Sequence, residues 1–123
     1  MPELKVKDPR ITRAICLINA GFDQNFDFKS LAETLNLSPS RLQHLFKEET
    51  GMSFRKYLQQ VRMKKAEHLL ETTFLCVNEI AKQVGIGDCS HFVRDFEKQY
   101  GLSPNKYRKR YLSAKKNPLF KLR

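Results

Sequence analysis

Several features that mark exported proteins, membrane proteins and enzymes are scarce or absent in this sequence. Its 123 residues include no tryptophan, five glycines and three cysteines, which lie far apart along the chain. No run of about 18 apolar residues occurs, so a membrane-spanning helix is excluded. The N-terminal residues lack the apolar segment of a signal peptide, which favours a cytoplasmic location and reduced cysteines.

Motifs for catalysis and for cofactors are also missing. The sequence has no glycine-rich phosphate loop, no Gly-x-Ser-x-Gly nucleophile motif and no His-Glu-x-x-His metal motif. Cys89 and His91 form a close Cys/His pair, but no second pair lies at zinc-ligand spacing. We therefore expect no enzyme, no catalytic residue, no metal and no cofactor.

Acidic residues are absent from the C-terminal end. The chain has 23 Lys and Arg against 13 Asp and Glu, a formal net charge of +10. All the acids lie in residues 1–102, whereas residues 103–123 carry eight basic residues. Such a segment fits a polyanion, above all nucleic acid. A solvated, disordered tail that keeps the protein soluble is the alternative interpretation.

Capping residues, prolines and apolar spacing predict seven helices. Asp8-Pro9 is typical of a helix start, and an apolar i, i+3, i+4, i+7 stripe follows it up to Gly21. Further helices are expected from Asp27, from Ser38 to Gly51, from Ser53 to about Thr72, from Val77 or Asn78 to Val84, from Asp88 to about Tyr100, and from Ser103 to about Leu112. No sustained alternation predicts a strand, so the expected fold class is all-α.

The chain also repeats itself with an offset of 50 residues. The recurring residues are Ser40, Phe46, Gly51, Ser53, Lys56 and Tyr57, which correspond to Ser90, Phe96, Gly101, Ser103, Lys106 and Tyr107. Leu31-Ala32 matches Ile80-Ala81 at an offset of 49, and the one-residue slip falls in an expected turn. This pattern indicates two helix-turn-helix units joined by the long fourth helix.

Each repeat has the two residue types that a helix-turn-helix needs. Steeply crossing helices need a small residue at their contact, and Ala32 and Ala81 fit that position. The turn needs a residue that tolerates a left-handed backbone, and Asn36 and Gly85 follow four residues later. One such pair is a weak signal, whereas two at matching positions are a strong one.

The helix after each turn carries a polar stripe opposite its apolar residues. The stripe comprises Ser40, Gln43, His44 and Lys47 in the third helix, and Ser90, His91 and Arg94 in the sixth. The major groove of DNA admits one helix, and such side chains can hydrogen-bond base edges there. Cys89 and Val93 can touch a thymine methyl group. Alternatively, each stripe is only the solvent-exposed face of its helix.

The second repeat resembles the DNA-binding domain of the AraC/XylS family of bacterial transcription regulators. The resemblance is carried by Ala81-x-x-x-Gly85-Ile86-x-Asp88-x-Ser90-His91-Phe92-x-Arg94-x-Phe96 and by Gly101-x-Ser103-Pro104-x-x-Tyr107-Arg108. The first repeat fits the same pattern, and the match covers roughly residues 10–112. Glu97 departs from it, because the family usually has a basic residue at this position.

The resemblance implies two recognition helices that enter the major groove of double-stranded DNA. The stripes and the resemblance together predict the base-reading residues Ser40, Gln43, His44, Cys89, Ser90, His91 and Arg94. The phosphate-binding residues that the resemblance implies are Arg41, Lys47, Asn105, Lys106 and Arg108. Structural roles are expected for Ala32, Asn36, Phe46, Arg62, Ala81, Gly85, Phe92, Phe96, Gly101, Pro104 and Tyr107.

Arg62 is a structural candidate for a reason of its own. It shares a helical face with Leu58 and Ala66, so its guanidinium is predicted to point inward. A buried arginine needs a carboxylate or exposed carbonyl groups as its partner.

The expected domain organisation follows from the repeat. Residues 1–52 and 74–112 form the two helix-turn-helix subdomains, residues 53–73 the linker helix, and residues 113–123 a flexible basic tail. The expected partners are double-stranded DNA and RNA polymerase. We expect the DNA-binding module to be monomeric and to lie in the bacterial cytoplasm, associated with the nucleoid. The sequence leaves open whether the chain is a complete small regulator or the DNA-binding end of a longer one.

Three functional hypotheses follow from the sequence. The first is a sequence-specific transcription regulator, with activation as the expected effect. The alternative is a non-specific basic nucleic-acid-binding protein driven by the C-terminal tail, and the third is a helical protein-interaction module without DNA contact. Specific binding that survives removal of the tail favours the transcription regulator over the non-specific binder. Salt-dependent affinity for a DNA duplex separates both from the protein-interaction module.

Overall fold

The computed structural model describes residues 6–23 and 27–115 of the chain. These residues form seven α-helices and no strand, which confirms the predicted fold class. The helices are α1 (Pro9–Gly21), α2 (Phe28–Thr34), α3 (Pro39–Thr50), α4 (Phe54–Thr72), α5 (Val77–Gln83), α6 (Cys89–Tyr100) and α7 (Pro104–Lys115). Within this part of the chain, no helix is long and apolar enough to span a membrane.

The C-terminal helix extends beyond its predicted end. The sequence predicts its end at about Leu112, but α7 continues to Lys115, so residues 113–115 are helical. The rest of the predicted basic tail, residues 116–123, lies outside the described residues.

The helices begin where side chains can accept hydrogen bonds from the first-turn N–H groups. Asp8, Asp27, Ser38 and Asp88 accept such bonds at N···O distances of 2.9, 3.1, 3.1 and 2.9 Å. These bonds satisfy donors that have no partner inside the helix. Both α3 and α6 end at a glycine in the left-handed region, Gly51 with φ 79° and Gly101 with φ 78°. Gly21 instead remains helical as the last residue of α1.

The chain divides into two compact units, Met1–Arg62 (unit 1) and Met63–Arg123 (unit 2). The boundary falls inside α4, so each unit contains part of the helix that the sequence predicts as a linker. In unit 1 the apolar faces of α1, α2, α3 and the start of α4 form one core. The Glu49 carboxylate of α3 also accepts a hydrogen bond from the Asp8 N–H at 2.9 Å, which ties α3 to the start of α1.

Four aromatic rings of α6 and α7 pack together in unit 2. Phe92 and Phe96 of α6 are fully buried, with ring centroids 5.9 Å apart. Phe96 also lies against Tyr100 at 4.4 Å and against Tyr107 of α7 at 5.5 Å. Unit 1 has an equivalent of the last pair, since the Phe46 and Tyr57 rings are also 5.5 Å apart and nearly perpendicular. Such edge-on arrangements are favoured between aromatic rings.

The two turns before α3 and α6 have the same backbone geometry. Asn36 has φ 58° and Gly85 has φ 86°, which is the left-handed conformation that the sequence predicts. In each turn the next N–H donates back to the buried alanine, from Leu37 to the Ala32 carbonyl and from Ile86 to the Ala81 carbonyl, both at 2.9 Å. This 6→1 bond is typical of a helix ending in a left-handed residue.

In each unit an arginine holds carbonyl groups at the C-terminal end of a helix. The Arg62 Nε donates to the Phe22 carbonyl at 2.7 Å, just after α1. The Arg108 Nε and Nη2 donate to the carbonyls of Leu70 and Thr73 at 3.1 and 3.2 Å, at the end of α4. The last carbonyls of a helix lack partners within it, so these guanidinium groups act as C-terminal caps. Arg62 is half-buried and meets a carbonyl, one of the two kinds of partner expected.

We expect Arg62→Met to lower the free energy of unfolding by about 1–3 kcal/mol, because the Phe22 carbonyl loses a charged donor. Lys65→Met is the matched control, since Lys65 is an exposed residue of the same helix. Thermal denaturation of the two variants and the wild type measures the effect. An Arg62→Met midpoint equal to that of the wild type would contradict the capping role.

Candidate nucleic-acid interface

The exposed face of α3 is fixed by the burial of its opposite face. Leu42 and Phe46 are fully buried in the core of unit 1 and Leu45 is 7% exposed. The predicted base-reading side chains of this helix, Ser40, Gln43 and His44, are all exposed. The hydrophobic face thus sets the rotation of the helix, and the polar stripe faces solvent as a consequence.

The exposed face of α6 is set in the same way by Phe92 and Phe96. Ser90, His91 and Arg94 are exposed, whereas Cys89 is half-buried. Asp88 fixes the start of this helix, because its carboxylate accepts from the N–H groups of both Ser90 and His91. The predicted base-reading residues of α6 therefore begin in its capped first turn.

Each of the two candidate histidines has an acidic neighbour one turn further along its helix. The His91 Nε2 lies 2.9 Å from an Asp95 carboxylate oxygen, and the His44 Nε2 lies 3.9 Å from Glu48. Neither Asp95 nor Glu48 is among the residues that the sequence predicts for the site. The i, i+4 spacing of a histidine and an acid is the signal that could have found them.

Four of the five predicted phosphate-binding residues are exposed: Arg41, Lys47, Asn105 and Lys106. The structure shows a further contact for the fifth, Arg108, whose phosphate-binding role stays a prediction. Arg108 is half-buried, and two of its donors are committed to the carbonyl groups at the end of α4. These two hydrogen bonds contribute to the packing of α7 on α4.

Two tyrosines, one from α6 and one from α7, contact two glutamates of α4. The Tyr107 hydroxyl lies 2.6 Å from the Glu71 carboxylate and 3.2 Å from that of Glu67, and Tyr100 also hydrogen-bonds Glu67. Burial, reinforced by these carboxylates, raises the pKa of Tyr107 and of Tyr100 above the ordinary tyrosine value. Both phenols thus stay protonated and can donate to the carboxylates. The sequence predicts a structural role for Tyr107 but does not indicate its glutamate partners.

The described residues contain no group of three or more His, Cys, Asp or Glu side chains placed to hold a metal ion. The side chains assembled on α3 and α6 are hydrogen-bonding and cationic groups on exposed helix faces. This chemistry suits recognition of a large polar partner.

Comparison with known proteins shows to which family the chain belongs. A family model described as a helix-turn-helix domain matches residues 31–110. The arabinose operon regulatory protein of Escherichia coli is 40% identical over 86 residues, which cover 70% of this chain and 30% of that protein. The chain belongs to the AraC/XylS family. This is a family of DNA-binding transcription regulators, not of enzymes.

Solved structures of AraC-type domains share the fold. The C-terminal domain of AraT, a response regulator from Geobacillus stearothermophilus, is 41% identical with a TM-score of 0.79, covering 83% of this chain and 85% of that one. The DNA-binding domain of AdpA, solved in complex with a target DNA, is 27% identical with a TM-score of 0.80, covering 87% and 96%. The chain spans about a third of the length of the AraC/XylS relatives that it matches, some of which are named transcriptional activators.

Alkaline denaturation tests the tyrosine cluster of this AraC/XylS member. Because the pKa of each phenol is higher in the folded chain, its contribution to stability is complete below about pH 10, the ordinary tyrosine pKa, and is lost as pH rises above it. Above this pH, we expect the unfolding free energy of Tyr107→Phe to fall less steeply with pH than that of the wild type. At neutral pH the same variant should lose about 0.5–1.5 kcal/mol with its hydrogen bond.

Urea denaturation at several pH values measures both effects. Glu71→Gln is a useful second variant, because it keeps an acceptor for the phenol but removes the negative charge, and it should change the pH dependence in the same direction. Identical pH dependence in wild type and Tyr107→Phe would contradict the role given to the cluster.

Proposed function

We propose that this chain binds double-stranded DNA in a sequence-specific manner through α3 and α6 and thereby regulates transcription. The observation that carries the proposal is the recurrence of one arrangement in both units. In each, a buried alanine and a left-handed residue precede a capped helix whose outer face presents hydrogen-bonding side chains. A structural neighbour of the same family, the AdpA domain, was solved with its target DNA, which supports the same use of the fold here.

The side chains of α3 suit direct contact with base edges. Gln43 can bond adenine bidentately through N6 and N7, and His44 can donate to a guanine acceptor. Ser40 is small and at the start of the helix, so we assign it a single hydrogen bond. Arg41 and Lys47 of the same helix are assigned to phosphate oxygens, which set the position of the helix without reading sequence.

The side chains of α6 suit a different set of bases. Arg94 is the strongest candidate, because a guanidinium can bond guanine O6 and N7 in a planar fork. Ser90 and His91 lie one turn before it and can read the neighbouring bases. Cys89 is half-buried, which leaves it an apolar contact with a thymine methyl group. Since α3 and α6 present different side chains, the recognised sequence should not be a palindrome.

The wider role of the protein is also part of the proposal. Relatives named transcriptional activators favour activation, and activation requires a productive contact with RNA polymerase. Two recognition helices in one chain remove the need for a dimer, so we propose a monomeric DNA-binding module in the cytoplasm, associated with the nucleoid. Sedimentation of the full chain, alone and with a DNA duplex, tests whether it is monomeric in both states.

Substitution of one base-reading and one phosphate-binding residue tests the proposed function. We expect Arg94→Ala to cost about 1–3 kcal/mol of binding free energy and to relax discrimination at one base pair. We expect Lys106→Ala to weaken binding to all sequences alike, because phosphate contacts carry no base information. Selection of binding sites from genomic DNA, followed by affinity measurements on the selected and scrambled duplexes, provides the data.

An unchanged base preference in Arg94→Ala would refute the assignment of α6. Removal of the tail after Lys115, where α7 ends, separates the proposal from the alternative of tail-driven binding. Retained preference for the selected duplex supports specific recognition by the helices. Loss of all binding on this truncation would favour the non-specific protein.

A further inference from the structure

The two faces of α7 have different surroundings. One face packs inward, where Tyr107 meets the glutamates of α4 and Arg108 meets its terminal carbonyls. The other face carries Lys106, Lys109 and Arg110, all exposed. Residues at i, i+3 and i+4 are neighbours on a helix surface, so these three cations form one continuous patch. We call it the α7 basic face.

This helix supplies the positive charge of the described part of unit 2. Residues 63–103 contain five Lys and Arg against six Asp and Glu, whereas α7 contains five basic residues and no acid. Without α7, this part of the unit would repel a phosphate backbone weakly instead of attracting it. The net positive charge of these residues, and with it their general attraction for a phosphate backbone, therefore comes from α7.

The recognition helix of the unit cannot supply this attraction itself. Arg94 and Lys98 of α6 are balanced by Asp95 and Glu97, and all four line one shallow groove together with His91. A helix with balanced charge can read bases by hydrogen bonds, but it gains little from the general attraction between cations and phosphates. Contacts to base edges and the general attraction for the phosphate backbone are thus provided by different helices of the unit, α6 and α7.

We propose that the α7 basic face is an extended phosphate-binding surface for the backbone of the duplex that α6 reads. The inference rests on the proposed function and adds Lys109 and Arg110 to the phosphate contacts. Arg108 lies on the inward side of α7, where two of its donors hold the end of α4, and that contact keeps the outer face of α7 turned to solvent. Each phosphate contact releases condensed counterions, so the surface should contribute affinity that is independent of sequence and sensitive to salt.

The double variant Lys109→Gln/Arg110→Gln in the full chain tests the inference. Affinity is measured by fluorescence anisotropy at several salt concentrations, on the selected duplex and on a scrambled one of equal length. We expect the slope of log affinity against log salt to become shallower by about 1.8, which is about 0.9 for each of two lost contacts. Affinity for both duplexes should fall by the same factor, so that the preference for the selected duplex is unchanged.

Two further variants separate local contacts from net charge and from misfolding. Lys64→Gln/Lys65→Gln removes the same charge from two adjacent exposed residues of α4 in the same unit, and it should change the salt slope less. Lys109→Arg/Arg110→Lys keeps both charges and should bind like the wild type. Equal slope changes in the α7 and α4 double variants would overturn the inference, as would a loss confined to the selected duplex.

The outcomes also distinguish this inference from the proposed function. A wild type without preference for the selected duplex contradicts specific recognition, whatever the variants of α7 do. A wild type that keeps its preference, together with an α7 double variant of unchanged salt slope, contradicts the phosphate-binding surface alone.

Discussion

The orientation of each recognition helix depends on a single residue with a positive φ. Asn36 and Gly85 reverse the chain after α2 and α5. The N–H groups that follow them, of Leu37 and Ile86, then donate to the carbonyls of Ala32 and Ala81 and fix how closely the short helix approaches the next one. Larger side chains in place of the two alanines would force the helices apart, and β-branched residues in the turns would be strained. The burial of Phe46 and Phe96 then sets the rotation of α3 and α6. The polar stripes face outward as a result.

Local signals and internal repetition explain why so much of this fold could be predicted from the sequence. Helix starts follow from side chains that cap their own helix, such as Asp8 and Asp88, and these act within three residues of sequence. The base-reading candidates on α3 and α6 followed from spacing, because the same spacing that buries one face exposes the other. Their contact with bases stays a prediction.

The contacts that could not be predicted join residues far apart in the chain. Tyr107 and Glu71 are 36 residues apart, and Arg108 and Leu70 are 38 apart, so no periodicity links them. In such cases the residue type alone does not indicate which partner the side chain contacts. The sequence predicts a phosphate contact for Arg108, but it does not show that this arginine also donates to carbonyl groups of α4. The inward direction of Arg62 was predictable because Leu58 and Ala66 lie on the same face.

The matching Phe–Tyr pairs of the two units have a consequence for how such a protein can change. Phe46 with Tyr57, and Phe96 with Tyr107, keep the same ring separation, while the exposed side chains around them differ. Buried and exposed positions are therefore under separate constraints, and a surface side chain of one unit can be replaced without disturbing the core of either. Under the proposed function, substitution of exposed residues of α3 or of α6 can therefore change the bases that one unit contacts while the other unit keeps its own.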